Sequence, residues 1–268
     1  MTDSPPGHPE IERFVAPNPG AMTLEGTNTY VVAAPGAGTA AYVIDPGPAD
    51  PGHVEVVRAA ALRHGGIAGV LLTHSHGDHS EACSLFEAPL LWGEVSTADE
   101  SSPASGAGAD EDGSRSPRPR RVGPFDVVPT PGHAIDHVCL VLGEVGFCGD
   151  LILGRGSSFV PPDGGSLAAY LDSLRAVMRL ELELLCPGHG PYVTDPMERA
   201  TEYLEHRLDR ERKLVAALSD GERSRSRLLD LAWDDVPADL RPAAAVVMQA
   251  HLEKLEAEGR ATLAELVD

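Results

Sequence analysis

Short apolar runs bounded by glycine and proline recur along the first part of the chain. The runs at residues 29–33, 40–44 and 67–72 have the length and composition of buried strands. Between the last two, residues 54–64 place apolar side chains at helical spacing. Further strands are predicted at residues 12–14, 90–92, 127–128, 145–147 and 182–185, and further helices at residues 80–86, 166–180 and 197–218. The alternation predicts an α/β fold that is rich in strands.

The C-terminal stretch, residues 219–268, has a pattern of its own. Residues 224–231 and 241–258 are predicted helices, and the second carries apolar side chains on one face. Gly259 ends it, and residues 260–266 have the composition of a short strand. Two helices followed by such a strand are typical of a small winged-helix domain.

These patterns divide the chain into a larger domain, residues 1–196, and a linker helix plus winged-helix-like domain, residues 197–268. An insertion at residues 96–121 interrupts the larger domain. It lacks apolar periodicity, is dominated by small and acidic residues, and ends in four arginines. We expect a mobile surface segment that acts as a solvated linker. The alternative is an arginine-rich arm that contacts phosphate or carboxylate groups near the site.

The formal net charge is −20 at pH 7, with 41 acidic residues against 21 Lys and Arg. Nucleic-acid binders need a basic surface to release counterions. The charge therefore disfavours a general nucleic-acid binder, and we expect no duplex DNA as a partner. The C-terminal part is also acidic, so its helices are expected to pack beside the site and enclose substrate.

The beginning of the chain has neither the basic nor the apolar stretch of a secretory signal, and no run is long enough to span a bilayer. The four cysteines, Cys83, Cys139, Cys148 and Cys186, have no C-x-x-C spacing. We interpret them as reduced core residues, which is typical of a cytoplasmic protein with no membrane attachment.

Four potential metal ligands stand close together after the strand predicted before residue 73. His74, His76, Asp78 and His79 form the pattern H-x-H-x-D-H. Imidazole nitrogens and carboxylate oxygens both bind Zn²⁺. An extended backbone puts His74 and His76 on one side, and a turn at Gly77 aims the next two ligands at a second point nearby. The segment therefore predicts a site for two metal ions rather than one.

Three further candidate ligands each follow a predicted strand. His133 ends a Thr-Pro-Gly-His segment, Asp150 a Cys-Gly-Asp segment, and His189 a Cys-Pro-Gly-His segment. Each lies beside a glycine or proline turn, which places it on a loop at the edge of a sheet. A single Pro-Gly-His is a weak signal, but all of these segments in this order form a strong one.

Taken together, these motifs resemble the metallo-β-lactamase-fold hydrolases. The resemblance implies that residues 1–196 form a catalytic αββα sandwich, with the metals at a shared edge of its two sheets. It also implies that His74, His76 and His133 bind the first metal, that Asp78, His79 and His189 bind the second, and that Asp150 bridges them. Asp45, in Val-Ile-Asp-Pro-Gly, matches an early aspartate of the family that supports a ligand from behind.

Nearly the whole chain is similar to the lactamase-β-like endoribonuclease subfamily. The similarity lies in residues 18–20, 24–30, 151–154 and 187–191, in His206-Arg207 and in the C-terminal domain. That subfamily includes a nuclease for single-stranded RNA, and its relatives include fungal thioesterases that act on acyl carrier proteins. The resemblance implies single-stranded RNA as the first choice of substrate and an acyl thioester as the alternative.

The expected activity is hydrolysis at two Zn²⁺ ions, with iron or manganese as alternatives because the same ligands hold them. Two such metals lower the pKa of a bridging water toward about 7, and the hydroxide that this water forms attacks the substrate. Asp78 has a second expected role, which is to orient the hydroxide. A winged-helix regulator with a vestigial metal site is a third possibility, but the complete ligand set disfavours it.

Other residues are secondary candidates. His137 either supports a ligand, contacts substrate or packs in a sheet. His206 and Arg207 are expected near the site, and residues 154–165 form a candidate substrate loop. The remaining solitary histidines are expected at the surface: His8, His53, His64 and His251.

Overall fold

The computed structural model describes residues 2–33, 40–91 and 120–268. In this part of the chain, ten strands form two five-stranded sheets. The first sheet contains β1 (Thr2–Asp3), β2 (Ile11–Val15), β3 (Asn28–Ala33), β4 (Ala41–Ile44) and β5 (Ile67–Leu71), in that order. The strands are antiparallel except for the parallel pair β4–β5.

The second sheet mirrors the first. It contains β6 (Arg120–Val122), β7 (Phe125–Pro129), β8 (Val138–Leu142), β9 (Val145–Gly149) and β10 (Leu184–Pro187), in the order β10-β9-β8-β7-β6. Its outermost pair, β9–β10, is the parallel one. The two parallel pairs end at the same side of the molecule, where the candidate ligands follow them.

Six helices and two 3₁₀ helices occur among the described residues. They are α1 (Pro51–Arg63), α2 (Gly77–Ser80), a 3₁₀ helix at Glu81–Leu85, α3 (Leu167–Met178), α4 (Pro196–Ser219), α5 (Arg225–Ala232), α6 (Arg241–Ala257) and a 3₁₀ helix at Leu263–Glu265. Short polar side chains cap four of them: Asp50 caps α1, Ser166 caps α3, Asp195 caps α4 and Ser224 caps α5.

The core confirms the predicted αββα layering. Inward-facing side chains of both sheets, such as Tyr30, Leu71 and Phe147, form one cluster between the sheets. The outer face of the first sheet packs on α1, and the outer face of the second packs on α3 and the first half of α4. The second half of α4 joins α5 and α6 in a separate cluster around Trp233 and Leu252.

All four cysteines are free, as predicted, and three of them are buried.

Two predicted strands are wrong. The wing expected at residues 260–266 is a turn, because Glu256 accepts a hydrogen bond from the Leu263 amide and local bonds form a 3₁₀ helix. Only Val267 forms a bridge, to Ser224. The strand expected at residues 90–92 is reduced to one bridge from Leu90, and Trp92 lies outside the described residues.

Most of the predicted insertion, residues 96–119, lies outside the described residues. Its last two residues, Arg120 and Arg121, belong to β6 instead, and Arg121 pairs with Asp126 on β7 at 2.6 Å. No described helix combines the length and the apolar character needed to cross a membrane.

Candidate metal centre

The seven predicted ligands meet at one edge of the sandwich. His74 and His76 follow β5, and Asp78 and His79 lie in the short helix α2. His133, Asp150 and His189 follow β7, β9 and β10 respectively. Each stands where a buried strand has just ended, so the backbone of the sandwich fixes its position.

Their ligand atoms converge in three overlapping groups, within each of which all ligand atoms lie within 4.8 Å of one another. The groups are His74–His76–His133, His74–His79–Asp150 and Asp78–His79–His189. Asp150 lies between the outer groups: its carboxylate oxygens are 3.6 Å from His133 Nε2 and 3.5 Å from the Nε2 atoms of His79 and His189.

The centre contains buried polar atoms that no protein group satisfies. His79 Nε2 and Asp150 Oδ1 have no hydrogen-bond partner among the described residues. His76 Nδ1 lies 3.0 Å from both His74 Nε2 and His133 Nε2. Converging imidazole nitrogens and unpartnered carboxylate oxygens in a buried site are costly without a cation, so this donor set fits metal ions.

Asp45 supports two of these residues from behind. Its Oδ2 accepts from His79 Nδ1 at 2.9 Å and from Thr73 Oγ1 at 2.7 Å, while Oδ1 accepts from the Thr73 amide at 2.8 Å. The Thr73 hydroxyl in turn lies 3.1 Å from His74 Nδ1, which donates to it. These bonds hold the protons on Nδ1 and turn the Nε2 lone pairs of His74 and His79 toward the centre.

Backbone carbonyls orient two other histidines in the same way. His133 Nδ1 donates to the Phe159 carbonyl at 2.6 Å, and His189 Nδ1 donates to the Gly26 carbonyl at 3.2 Å. Both rings thereby present Nε2 to the centre.

His137 supports Asp150 and does not contact solvent. It is buried, donates from Nδ1 to Thr130 Oγ1 at 2.8 Å, and accepts at Nε2 from the Asp150 amide at 3.2 Å. Burial lowers the pKa of His137 to about 3, so it stays neutral and keeps this acceptor.

Carboxylates dominate the electrostatics of the centre. Burial lowers the pKa of His189, but Asp150 and Asp78 outweigh it and raise that pKa to about 9. Burial opposes ionisation of Asp150, yet His79 and His189 hold its pKa well below the ordinary value. Both carboxylates are therefore ionised at neutral pH, as metal ligands must be.

Two of the solitary histidines were predicted wrongly, because His53 and His251 are buried. His53 Nε2 donates to Thr29 Oγ1 at 2.8 Å, and that hydroxyl donates to the carbonyl of Asp45. The first turn of α1 thus packs against the support of the metal centre. His251 lies inside the C-terminal cluster beside Trp233, with ring centroids 5.5 Å apart.

A cavity of about 450 Å³ opens over the ligands. Residues 155–159 of the predicted substrate loop form one wall, and His206 and Arg207 face it from α4. The sequence did not reveal the apolar part of the lining, which comprises Ala21, Met22, Leu24, Leu153, Phe159, Trp233, Val236, Leu240, Ala243, Ala244 and Val247. The sequence contains one indication of this apolar wall, because Trp233, Val236 and Leu240 are large apolar residues in an otherwise polar connection between α5 and α6.

The comparisons with known proteins agree with this geometry. The family model "Metallo-beta-lactamase superfamily" matches residues 22–80 and 87–189. The chain belongs to the metallo-β-lactamase superfamily. It is thus an enzyme of a hydrolase superfamily. A second family model, "Beta-lactamase associated winged helix domain", matches residues 226–265.

Some relatives in this superfamily are named only for their similarity to β-lactamases, and others are named as thioesterases. The chain is 30% identical over 283 residues to the "Beta-lactamase-like protein 2 homolog" of Drosophila melanogaster, covering 96% of this chain and 91% of that one. It is 34% identical over 224 residues to the "Atrochrysone carboxyl ACP thioesterase" of Aspergillus chevalieri, covering 79% and 67%.

Solved structures support the fold alone. A metallo-beta-lactamase family protein from Thermus thermophilus matches with a TM-score of 0.68 and 23% identity over 94% of both chains. A beta-lactamase domain protein from Burkholderia ambifaria matches with a TM-score of 0.71 and 18% identity, covering 96% of this chain and 88% of that one.

Proposed function

We propose that the protein is a dinuclear zinc hydrolase that cleaves acyl thioesters. The observation that carries the proposal is the cavity itself: metal-binding side chains form its floor, and apolar side chains form most of its walls. Such a space accommodates an acyl chain above a reactive carbonyl.

In this proposal His74, His76 and His133 would hold one metal ion, Asp78, His79 and His189 would hold the other, and Asp150 would serve both. Support comes from the grouping of the ligand atoms and from the orphaned atoms His79 Nε2 and Asp150 Oδ1. Imidazole with carboxylate suits zinc, although iron and manganese accept the same donors. When bound, the metals supply Lewis acidity toward the substrate carbonyl and increase the acidity of water.

Asp78 is the residue proposed to act on the attacking water. Its side chain lines the cavity and is 30% exposed, while its Oδ2 lies 3.3 Å from His189 Nε2. Burial alone raises the pKa of Asp78, but the bond from His189 and the charge of His79 bring it below the ordinary value. The ionised carboxylate accepts a hydrogen bond from the water and directs the oxygen lone pair at the carbonyl carbon.

Single-stranded RNA is the second candidate substrate. In its favour, His206, Arg207 and Arg210 line the cavity and offer positive charge. However, both guanidinium groups already donate to protein acceptors, Arg207 to Ser158 and Arg210 to Ala232 and Asp235. The whole chain also carries a charge of −20, which repels a polyanion. The names of fungal relatives as thioesterases support the acyl substrate further.

A hydrolysis panel tests the proposal. Zinc-loaded protein is assayed against acetyl and palmitoyl thioesters of one thiol, single-stranded RNA and a lactone, with His76→Ala as the inactive control. We expect thioester hydrolysis that improves with acyl length, because longer chains bury more apolar surface. Cleavage of RNA with no turnover of either thioester would contradict the proposed substrate.

A further inference from the structure

A hydrogen-bonded path leads from helix α4 to two of the proposed metal ligands. It starts at Arg207, whose guanidinium is buried and donates from Nη2 to Ser157 Oγ at 3.0 Å and to the Ser158 carbonyl. Among the described residues no carboxylate pairs with this guanidinium. The guanidinium instead donates hydrogen bonds to the loop that follows Asp150 and so holds this loop in place.

The next residues of that loop contact the metal centre. Ser158 Oγ donates to the carbonyl of Asp150 at 2.5 Å, and the carbonyl of Phe159 accepts from His133 Nδ1 at 2.6 Å. The first bond fixes the backbone that carries the bridging carboxylate. The second fixes the tautomer and the rotation of the His133 ring, so that Nε2 faces the metal.

The starting point of the path is itself held in place. The Arg207 guanidinium lies over the Tyr170 ring, 5.5 Å from its centroid, and Tyr170 donates from its hydroxyl to the Leu151 carbonyl at 2.7 Å. Helices α3 and α4 thus hold both the guanidinium and the chain just after Asp150. A shift of Arg207 relative to the loop would break bonds on both sides.

We propose that Arg207 is a positioning residue for the metal centre, acting through residues 157–159 on His133 and Asp150. The inference rests on the proposed function, because it takes these two residues to be metal ligands. It makes helix α4, outside the sandwich, part of the apparatus that sets metal affinity. Lysine cannot replace this arginine, since an ammonium lacks the planar guanidinium face that lies over the Tyr170 ring while Nη2 donates to the loop.

The expected effect is on metal binding. Loss of a group that orients a ligating histidine typically costs 10–100-fold in metal affinity. Arg207 acts one step further away, so we expect Arg207→Lys to weaken the affinity for Zn²⁺ at one site by about tenfold, the low end of that range.

The matched control is Arg199→Lys. Arg199 lies on the same helix, stacks on Tyr203 at 4.9 Å and donates to the Gly156 carbonyl at 2.9 Å. It therefore contacts the same loop through the same kind of bond, but at a residue that touches neither ligand. Ser158→Ala is a second test variant, because it removes only the bond to the Asp150 carbonyl.

The experiment is a competition titration of Zn²⁺ between each full-length protein and a chromophoric chelator, with the thermal midpoint of the metal-free protein as the measure of folding. The proton on His133 Nδ1 is also followed by NMR in the zinc-loaded proteins. We expect weaker zinc binding and a shifted His133 proton in Arg207→Lys, weaker binding in Ser158→Ala, and neither change in Arg199→Lys.

Wild-type affinity in Arg207→Lys, or an equal loss in Arg199→Lys, would overturn the inference while leaving the metal centre intact. A wild-type protein that binds no metal would overturn the proposed function and this inference together.

Discussion

At the scale of single residues, Asp45 supports two proposed ligands, His79 directly and His74 through the Thr73 hydroxyl. It adopts a left-handed backbone conformation, with φ at 49°, which turns its carboxylate under His79 and Thr73. Asparagine tolerates this conformation, unlike most residues. Asp45→Asn therefore removes one carboxylate oxygen and leaves the backbone in place.

We predict that Asp45→Asn weakens zinc affinity by about 10–100-fold with an unchanged far-UV circular dichroism spectrum. The amide lacks the charge that stabilises a metal-bound His79 and cannot accept at both positions. A competition titration measures the affinity, with Asp50→Asn, a helix cap away from the ligands, as the control. Equal affinities in the two variants would show that Asp45 serves only the turn.

His251 is a residue whose burial affects stability rather than the site. Neither ring nitrogen has a partner among the described residues. Burial, followed by the charge of Arg207 and Lys254, lowers its pKa well below 6.5. Below pH 6.5 the unfolded chain therefore binds a proton at His251 that the folded chain does not bind. The free energy of unfolding is thus unaffected by this residue above that pH and decreases as the pH falls below it.

We predict that the free energy of unfolding of metal-free wild-type protein falls more than that of His251→Phe between about pH 7.5 and about pH 5.5, by on the order of 1 kcal/mol. Urea titrations at the two pH values measure the difference. The same pH dependence in both proteins would mean that His251 is protonated in the folded state.

At the scale of elements, the turn after β10 shows how closely the strand ends approach. A Cβ atom on Gly188 would lie 2.4 Å from Asp150 Oδ1 and 2.6 Å from His79 Cε1. Glycine is required here by space, because any side chain would displace two proposed ligands.

Gly188→Ala is expected to lower turnover by roughly a hundredfold, the effect of misplacing reacting groups by about 1 Å. Gly52→Ala is the control, because its Cβ has only a 3.3 Å neighbour in the exposed start of α1. Turnover and zinc content are measured on both variants. A fully active Gly188→Ala protein would show that a Cβ at this position does not displace Asp150 or His79.

Elements also show what the sequence could predict. The ligands were predictable because each stands just after an apolar run and beside a turn, and the rigid strands carry them to one edge. The spacing also places His251 on the buried face of α6, three residues after Met248 and four before Leu255, but a titratable ring among apolar side chains is not expected from its residue type. The wing was misjudged because local turn bonds, such as that from Glu256, compete with strand pairing.

At the scale of the whole molecule, the cavity exists because two parts of the chain meet. The sandwich contributes the ligands, and α4 to α6 contribute the wall with Trp233 and Leu240. Helix α4 joins both parts, since its first half packs on the second sheet and its second half on α5 and α6. The predicted division after residue 196 stays a prediction.

The wall can be tested with a matched pair of leucines. Leu240 lines the cavity and Leu231 does not, yet both are 45% exposed. We predict that Leu240→Ser lowers kcat/KM for a palmitoyl thioester by about fivefold, corresponding to about 1 kcal/mol of lost apolar burial, and leaves the acetyl thioester unaffected. Leu231→Ser should change neither value. An equal loss on both thioesters would place the acyl chain elsewhere.

The account as a whole is tested most directly by titrating metal-free protein with Zn²⁺ while following hydrolysis of a long-chain acyl thioester. Because the proposal assigns the seven candidate ligands to two sites that share Asp150, we predict that the rate rises until two equivalents of zinc are bound per chain and then stays constant. His76→Ala should remain inactive throughout. Full activity at one equivalent, or no thioester hydrolysis at any zinc content, would contradict the account.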